Sequence, residues 1–142
     1  MAVRPNQAVT STTPPAVEVL TKTVQVARTD TTAFNAFTLP KGAVIAGAYI
    51  MGATASDATT TAVVNVGTNP GTANEVLTAY SVLSTAGTGY NAAGAYGGSA
   101  MGTQLTADTL YKANYAATGA ETTGGPWLVK VEYYIPQQGY SF

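Results

Sequence analysis

Hydrophobic and polar residues alternate with a period of two over most of the chain, the spacing of half-buried strands and not of helices. In residues 16–26 one parity carries Leu20, Val24 and Val26, with Lys22 as a misfit, and the other carries Val19, Thr21, Thr23 and Gln25. Glu18 falls in the same predicted strand. Residues 31–39 give a second strand, marked by Phe34 and Phe37. Pro40-Lys41-Gly42 makes a turn, and residues 43–51 are apolar on both parities. A strand of that kind is expected to be covered on both faces. Residues 60–67 read as a fourth strand, closed by the turn Asn69-Pro70-Gly71. Residues 74–83 allow either a short helix or a loop with an edge strand. Residues 85–102, rich in Gly, Ala and Tyr, predict a long surface loop.

Two further strands close the domain. Residues 109–115 set Tyr111, Ala113 and Tyr115 against Leu110, Lys112 and Asn114. Residues 127–135 alternate more cleanly: Trp127, Val129, Val131, Tyr133 and Ile135 are expected to face the core, with Lys130 and Glu132 outside. Six or more short strands with Gly and Pro turns, and no convincing helix, predict an all-β fold, an antiparallel β-sandwich. Residues 1–15 carry Pro5, Pro14 and Pro15 and no hydrophobic period, so they predict an extended N-terminal arm. The domain then spans 16–136, and 137–142 form a C-terminal tail.

Composition sharpens this picture at one point. Only 9% of the 142 residues are charged and the net charge is −1, against about 25% charged residues in an ordinary domain. A surface so poor in charge is weakly protected against association, which fits burial by neighbours in an assembly. The six basic residues are scattered from Arg4 to Lys130, so no basic face is formed and nucleic acid is not an expected partner. The longest weakly polar run, 42–55, is too short and too rich in Gly and Ala to span a membrane, so no membrane partner is expected. The first residues lack the apolar stretch of a secretory signal, and the expectation is synthesis and use from the cytoplasm.

Candidate chemistry is sparse. The chain has no histidine and no cysteine, which removes Ser-His and Cys-His nucleophile pairs, thiol chemistry and most transition-metal sites. The seven acids are Glu18, Asp30, Asp57, Glu75, Asp108, Glu121 and Glu132, and none forms a calcium-loop or Asp-x-Asp cluster. Glu18 and Glu132 could be matched as a glycosidase pair, but exposed strand carboxylates are the simpler reading. Gly87-Thr88-Gly89 lacks the helix and lysine of a phosphate loop. Thr29-Asp30-Thr31 and Ser56-Asp57-Ala58 read as turns whose Asp accepts local backbone hydrogen bonds. No enzyme activity, cofactor or metal is expected. Tyrosine, with nine residues, is the unusual abundance and a favoured interface residue.

The stretch Phe37-Thr38-Leu39-Pro40-Lys41-Gly42-Ala43-Val44-Ile45, followed by Val64-Asn65-Val66-Gly67-Thr68, resembles small structural proteins of tailed bacteriophages, above all the capsid cement or decoration proteins. The resemblance covers mainly residues 20–68. It implies a jelly-roll-like sandwich on the exterior of a virion capsid, made in the host cytoplasm. Its partners would be the major capsid protein and further copies of itself, as homodimer or homotrimer, with no catalytic residues. Expected partner-binding residues are Arg4, Pro5, Pro14 and Pro15 in the arm, Tyr90 and Tyr96 in the loop, and Tyr140 and Phe142 in the tail. The alternative is a carbohydrate- or receptor-binding β-sandwich module of a phage tail or bacterial surface, using Tyr90, Asn91 and Ser99 in the 85–102 loop.

Overall fold

The computed structural model of the chain describes residues 18–52, 54–69, 76–83 and 102–136. The arm (1–15), the tail (137–142) and residues 85–101 lie outside the described residues. So do all eight expected partner-binding residues, the Gly87-Thr88-Gly89 fragment and most of the Asn69-Pro70-Gly71 turn.

Seven strands form: β1 (Leu20–Val26), β2 (Phe34–Leu39), β3 (Val44–Gly52), β4 (Thr61–Gly67), β5 (Leu77–Ser81), β6 (Thr109–Thr118) and β7 (Trp127–Tyr134). They make two antiparallel sheets. Sheet A has the order β1-β7-β3, and sheet B the order β2-β6-β4-β5. The chain crosses between the sheets at each of its first three connections and again from β6 to β7. Residues 102–105 lie along the free edge of β3, where Gln104 bridges Val44, Gly102 N donates to Ile45 O (3.0 Å) and Leu105 N to Ala43 O (2.9 Å). This isolated bridge continues sheet A at its β3 edge, and the strand orders β1-β7-β3 and β2-β6-β4-β5 are those of a jelly-roll-like sandwich.

The alternating pattern decides which side chains meet between the sheets. Val24 and Val26 of β1, Val129 and Val131 of β7, and Ile45, Ala48 and Ile50 of β3 face Phe37, Leu39, Ala62, Val64, Val66, Tyr111, Ala113 and Tyr115 of sheet B. Trp127 stacks on Tyr115 across the two layers, ring centroids 5.1 Å apart, and Phe37 stacks on its cross-strand partner Tyr111 at 5.2 Å. Val131 is fully buried whereas Lys130 is partly exposed. Val131→Ala is therefore expected to cost about 1–3 kcal/mol, from lost burial and the cavity left behind. Lys130→Ala is expected to stay within about ±0.5 kcal/mol. Denaturant melts of the two variants check this register, and equal effects would contradict it.

Several expectations are corrected. Ile135 lies beyond the end of β7 and is 40% exposed, so it is not a core residue. Glu18 precedes β1 and is exposed, which leaves no strand-borne pair with Glu132. β3 is not covered on both faces: Ala46 and Met51 are exposed. Its double parity arises from a register shift between Ile45 and Gly47 against β7. The extra residue of such a bulge switches the inward parity partway along the strand. Of the two readings of residues 74–83, the edge strand is the one that forms, as β5 (Leu77–Ser81). The strand predicted at 31–39 begins only at Phe34, and β6 continues to Thr118.

Sheet edges need protection against unwanted pairing. Lys22, the misfit of β1, points to the core side of an edge strand, opposite Val131. A charge there discourages a further strand. β5 is only five residues long and kinks at Ala79, whose φ is +50°. The Asn65 side chain steadies the kink by accepting the Ala79 amide at 2.7 Å.

Candidate docking surface

The sandwich has two ends with different chemistry. At one end the connections 27–33, 54–60 and 119–126 come together. Tyr115 brings its hydroxyl there from β6, 2.8 Å from Ser56 Oγ, and donates to Glu121 Oε2 at 2.5 Å. Ser56 Oγ also donates to Glu121 Oε2 (3.1 Å), and Arg28 Nη1 stands 3.8 Å from Glu121 Oε1. Ser56 is fully buried. Gly124, at φ +150°, lets its loop lie against Ser56, since a Cβ there would sit 2.9 Å from Ser56 Cα.

Beside this network Asp57 accepts Thr122 N (2.9 Å), Thr123 N (2.9 Å) and Thr122 Oγ1 (2.6 Å). Those bonds, the Thr122 hydroxyl foremost, hold its carboxyl well below the ordinary carboxylate range. Asp57 thus corrects the turn reading, because it ties two loops that are distant in sequence. Asp30 behaves as expected and accepts Ala27 N at 2.7 Å. The Tyr115 hydroxyl is pushed up to about 12, by burial first and by Glu121 second. A phenol held neutral in this way cannot act as a base at ordinary pH. The cluster braces the loops.

At the opposite end stand the first and last described residues, 18 and 136, and the turn Pro40-Lys41-Gly42. An open cleft of about 660 Å³ lies here, lined by Lys41, Gly42, Gln104, Leu105, Thr106, Ile135 and Pro136. Asp108 fixes the turn by accepting Lys41 N at 2.8 Å.

The outer faces of the sheets differ most. Among the described residues five large hydrophobic side chains are exposed, and three of them, Val19, Met51 and Leu128, belong to the outer side of sheet A. Cross-strand register arranges that face in rows. Gln25, Leu128 and Met51 form the first; Thr23, Lys130 and Tyr49 the second; Thr21, Glu132 and Gly47 the third. Tyr134, paired with Val44, closes the face beside Val19. The Tyr49 ring folds back over Gly47, where a Cβ would meet its hydroxyl at 3.3 Å and its Cε2 at 3.4 Å. Lys130 Nζ stands 5.5 Å from the ring centroid, and Tyr49 Oη donates to Glu132 Oε2 at 3.4 Å. Lys130 and Glu132 form an ion pair at 3.2 Å.

The face is therefore mainly apolar or uncharged, with its two charges paired in the middle. The outer face of sheet B carries Asn35, Thr38, Lys112, Asn114, Asn65 and Thr61, with Leu110 as its exposed large hydrophobic residue.

The eight residues expected from sequence to bind partners all lie outside the described residues. The signal that could have found the face is Leu128 and Tyr134, apolar residues on the outward parity of the last strand that the reading of its alternation passed over. The loop network had no local signal, because Ser56, Tyr115, Glu121 and Arg28 are far apart in the chain. Comparison of the chain with protein-family models, with curated proteins and with solved structures finds no match.

Proposed function

We propose that the chain is a non-enzymatic virion structural protein that binds and stabilises a bacteriophage capsid shell as a cement or decoration protein. The observation that carries this reading is the outer face of sheet A, where exposed apolar side chains concentrate in a chain with little charge to spare. Arg28, Asp30, Asp57, Asp108, Glu121, Lys130 and Glu132 are all engaged within the sandwich. Attachment to a neighbouring protein then draws on apolar burial and backbone pairing more than on charge. The resemblance of residues 37–45 and 64–68 to capsid decoration proteins adds the kind of neighbour, the major capsid protein on the exterior of the shell. The place of residues 18 and 136 at one end adds a route: the Pro-rich arm, with Arg4, Pro5, Pro14 and Pro15, and the tail, with Tyr140 and Phe142, can reach the same neighbour. Prolines pre-extend such an arm and lower the entropy lost on docking.

The carbohydrate-binding alternative needs an aromatic ring free to lie against a sugar. The notable residues of that alternative, Tyr90, Asn91 and Ser99, lie outside the described residues.

Co-sedimentation with empty capsids, set against a glycan array, tests the proposal. Saturable binding to capsids is expected in 0.1 M salt and nearly unchanged in 1 M, although the Debye length falls from about 10 to 3 Å. Deleting residues 1–13 is expected to leave the melting transition nearly unchanged. The same deletion is expected to weaken attachment at least tenfold, equivalent to ~1.4 kcal/mol. Glycan binding without capsid binding, or attachment that collapses at moderate salt, contradicts the account.

A further inference from the structure

We infer that the outer face of sheet A is a self-association surface, on which a second copy of this chain docks about a two-fold axis lying across the strands between Lys130 and Glu132. The partner is identified by the order of residues along β7. Its outward positions read Leu128, Lys130, Glu132 and Tyr134: apolar, positive, negative, apolar. An isologous interface brings the same patch of both copies together, so residue i meets j while j meets i. With the axis between Lys130 and Glu132, each lysine faces the copy's glutamate and each Leu128 faces the copy's Tyr134.

The flanking strands obey the same operation. On β3, Met51 comes over the copy's Val44, which is itself buried and adds little contact, and the Tyr49 ring, already folded back towards Gly47, reaches the axis beside the copy's Tyr49. On the β1 side, Thr23 meets the copy's Thr21, and Gln25 meets the copy's Val19. No like charges are brought face to face. The existing Lys130–Glu132 pair becomes one half of a four-charge network ringed by apolar groups. Sheets packed in this way stand about 10 Å apart, a distance that Tyr, Leu and Met side chains fill.

Strands about 4.8 Å apart, with residues rising about 3.3 Å each, make this three-stranded face roughly 14 by 23 Å. That is small beside the ~800 Å² per partner of a standard interface, so association through it is weak, with Kd on the order of 10 μM or above.

Sedimentation equilibrium of the full chain from about 1 μM to 1 mM tests the inference, with circular dichroism confirming that each variant is folded. A monomer–dimer equilibrium is expected. Lys130→Glu sets a new carboxylate against the copy's Glu132 at two places and is expected to weaken the dimer at least tenfold. Leu128→Asp is expected to do the same. The double exchange Lys130→Glu with Glu132→Lys restores opposite charges across the axis and is expected to return Kd to within about threefold of the original. A monomer throughout the range overturns the inference. So does association indifferent to Lys130→Glu and Leu128→Asp, or a charge exchange that restores nothing. A second copy thereby takes the same face that carries the proposed function, so a dimer attaches to capsids through its remaining surfaces, among them the end where residues 18 and 136 stand. A dimer that ignores capsids removes the cement reading alone, and a monomer that decorates them removes this inference alone.

Discussion

Trp127→Ala is expected to destabilise the sandwich by about 3–5 kcal/mol, the range for removing a large buried aromatic side chain. Trp127 is the largest fully buried side chain of the described core, and it begins β7, the middle strand of sheet A. Its ring meets Tyr115 at 5.1 Å with an interplanar angle of 18°, so it fastens sheet A to sheet B. The same ring packs against Gly52 at the end of β3, where a Cβ would come 2.5 Å from Trp127 Cδ1. Truncation leaves a void that three strands border and cannot all close. A total stability of about 5–15 kcal/mol is usual for a domain, so the variant is expected to lose most of its margin. A urea or thermal melt checks this. A loss below about 1 kcal/mol would show that the layers are held elsewhere.

Tyr115→Phe is the second large effect, and it separates the hydroxyl from the ring. The phenylalanine keeps the stack on Trp127. It leaves Ser56 Oγ and Glu121 Oε2 without the Tyr115 hydroxyl between them in a buried setting, an expected cost of about 1–3 kcal/mol. The Tyr115 pKa, raised to about 12, gives a pH signature. Folding favours the neutral phenol, so its contribution is fully present below the unfolded value of about 10. It is lost as pH climbs from about 10 towards 12, while the unfolded chain ionises first. The native protein is thus expected to lose stability over that window more steeply than Tyr115→Phe. Parallel pH profiles for the two proteins would place the hydroxyl outside the network.

The strands were legible because their side chains report burial directly. The alternation of Leu20, Val24 and Val26, of Tyr111, Ala113 and Tyr115, and of Trp127 through Tyr133 put in the core the residues that the sandwich buries, with Leu20 packed at its margin. Ile135 was misplaced because the period continues past the last strand residue, and Pro136 marks the stop only approximately. β3 misled for another reason. Its bulge between Ile45 and Gly47 shifts the inward parity within a run of small and apolar residues, and nothing in that run signals the shift. Asp57 looked like a turn residue because aspartate accepts local amides so often. Its partners, Thr122 and Thr123, are adjacent to it only after the sandwich has closed. The docking face was half legible. Leu128 and Tyr134 lie on the outward parity, where the reading of the strand named only Lys130 and Glu132, and the placement of Tyr49 beside those two charges needed the register of β3 on β7.

The central claim is that this sandwich coats a shell by covering protein surface, and one measurement bears on it most directly. Empty capsids are titrated with the purified chain, and bound copies are counted against the major capsid protein at saturation. The account predicts a plateau at hundreds of copies per particle, in a ratio to capsid subunits set by the symmetry of the shell. A plateau at a few copies per particle would place the chain at a single vertex or tail, and the absence of saturable binding would contradict the claim outright.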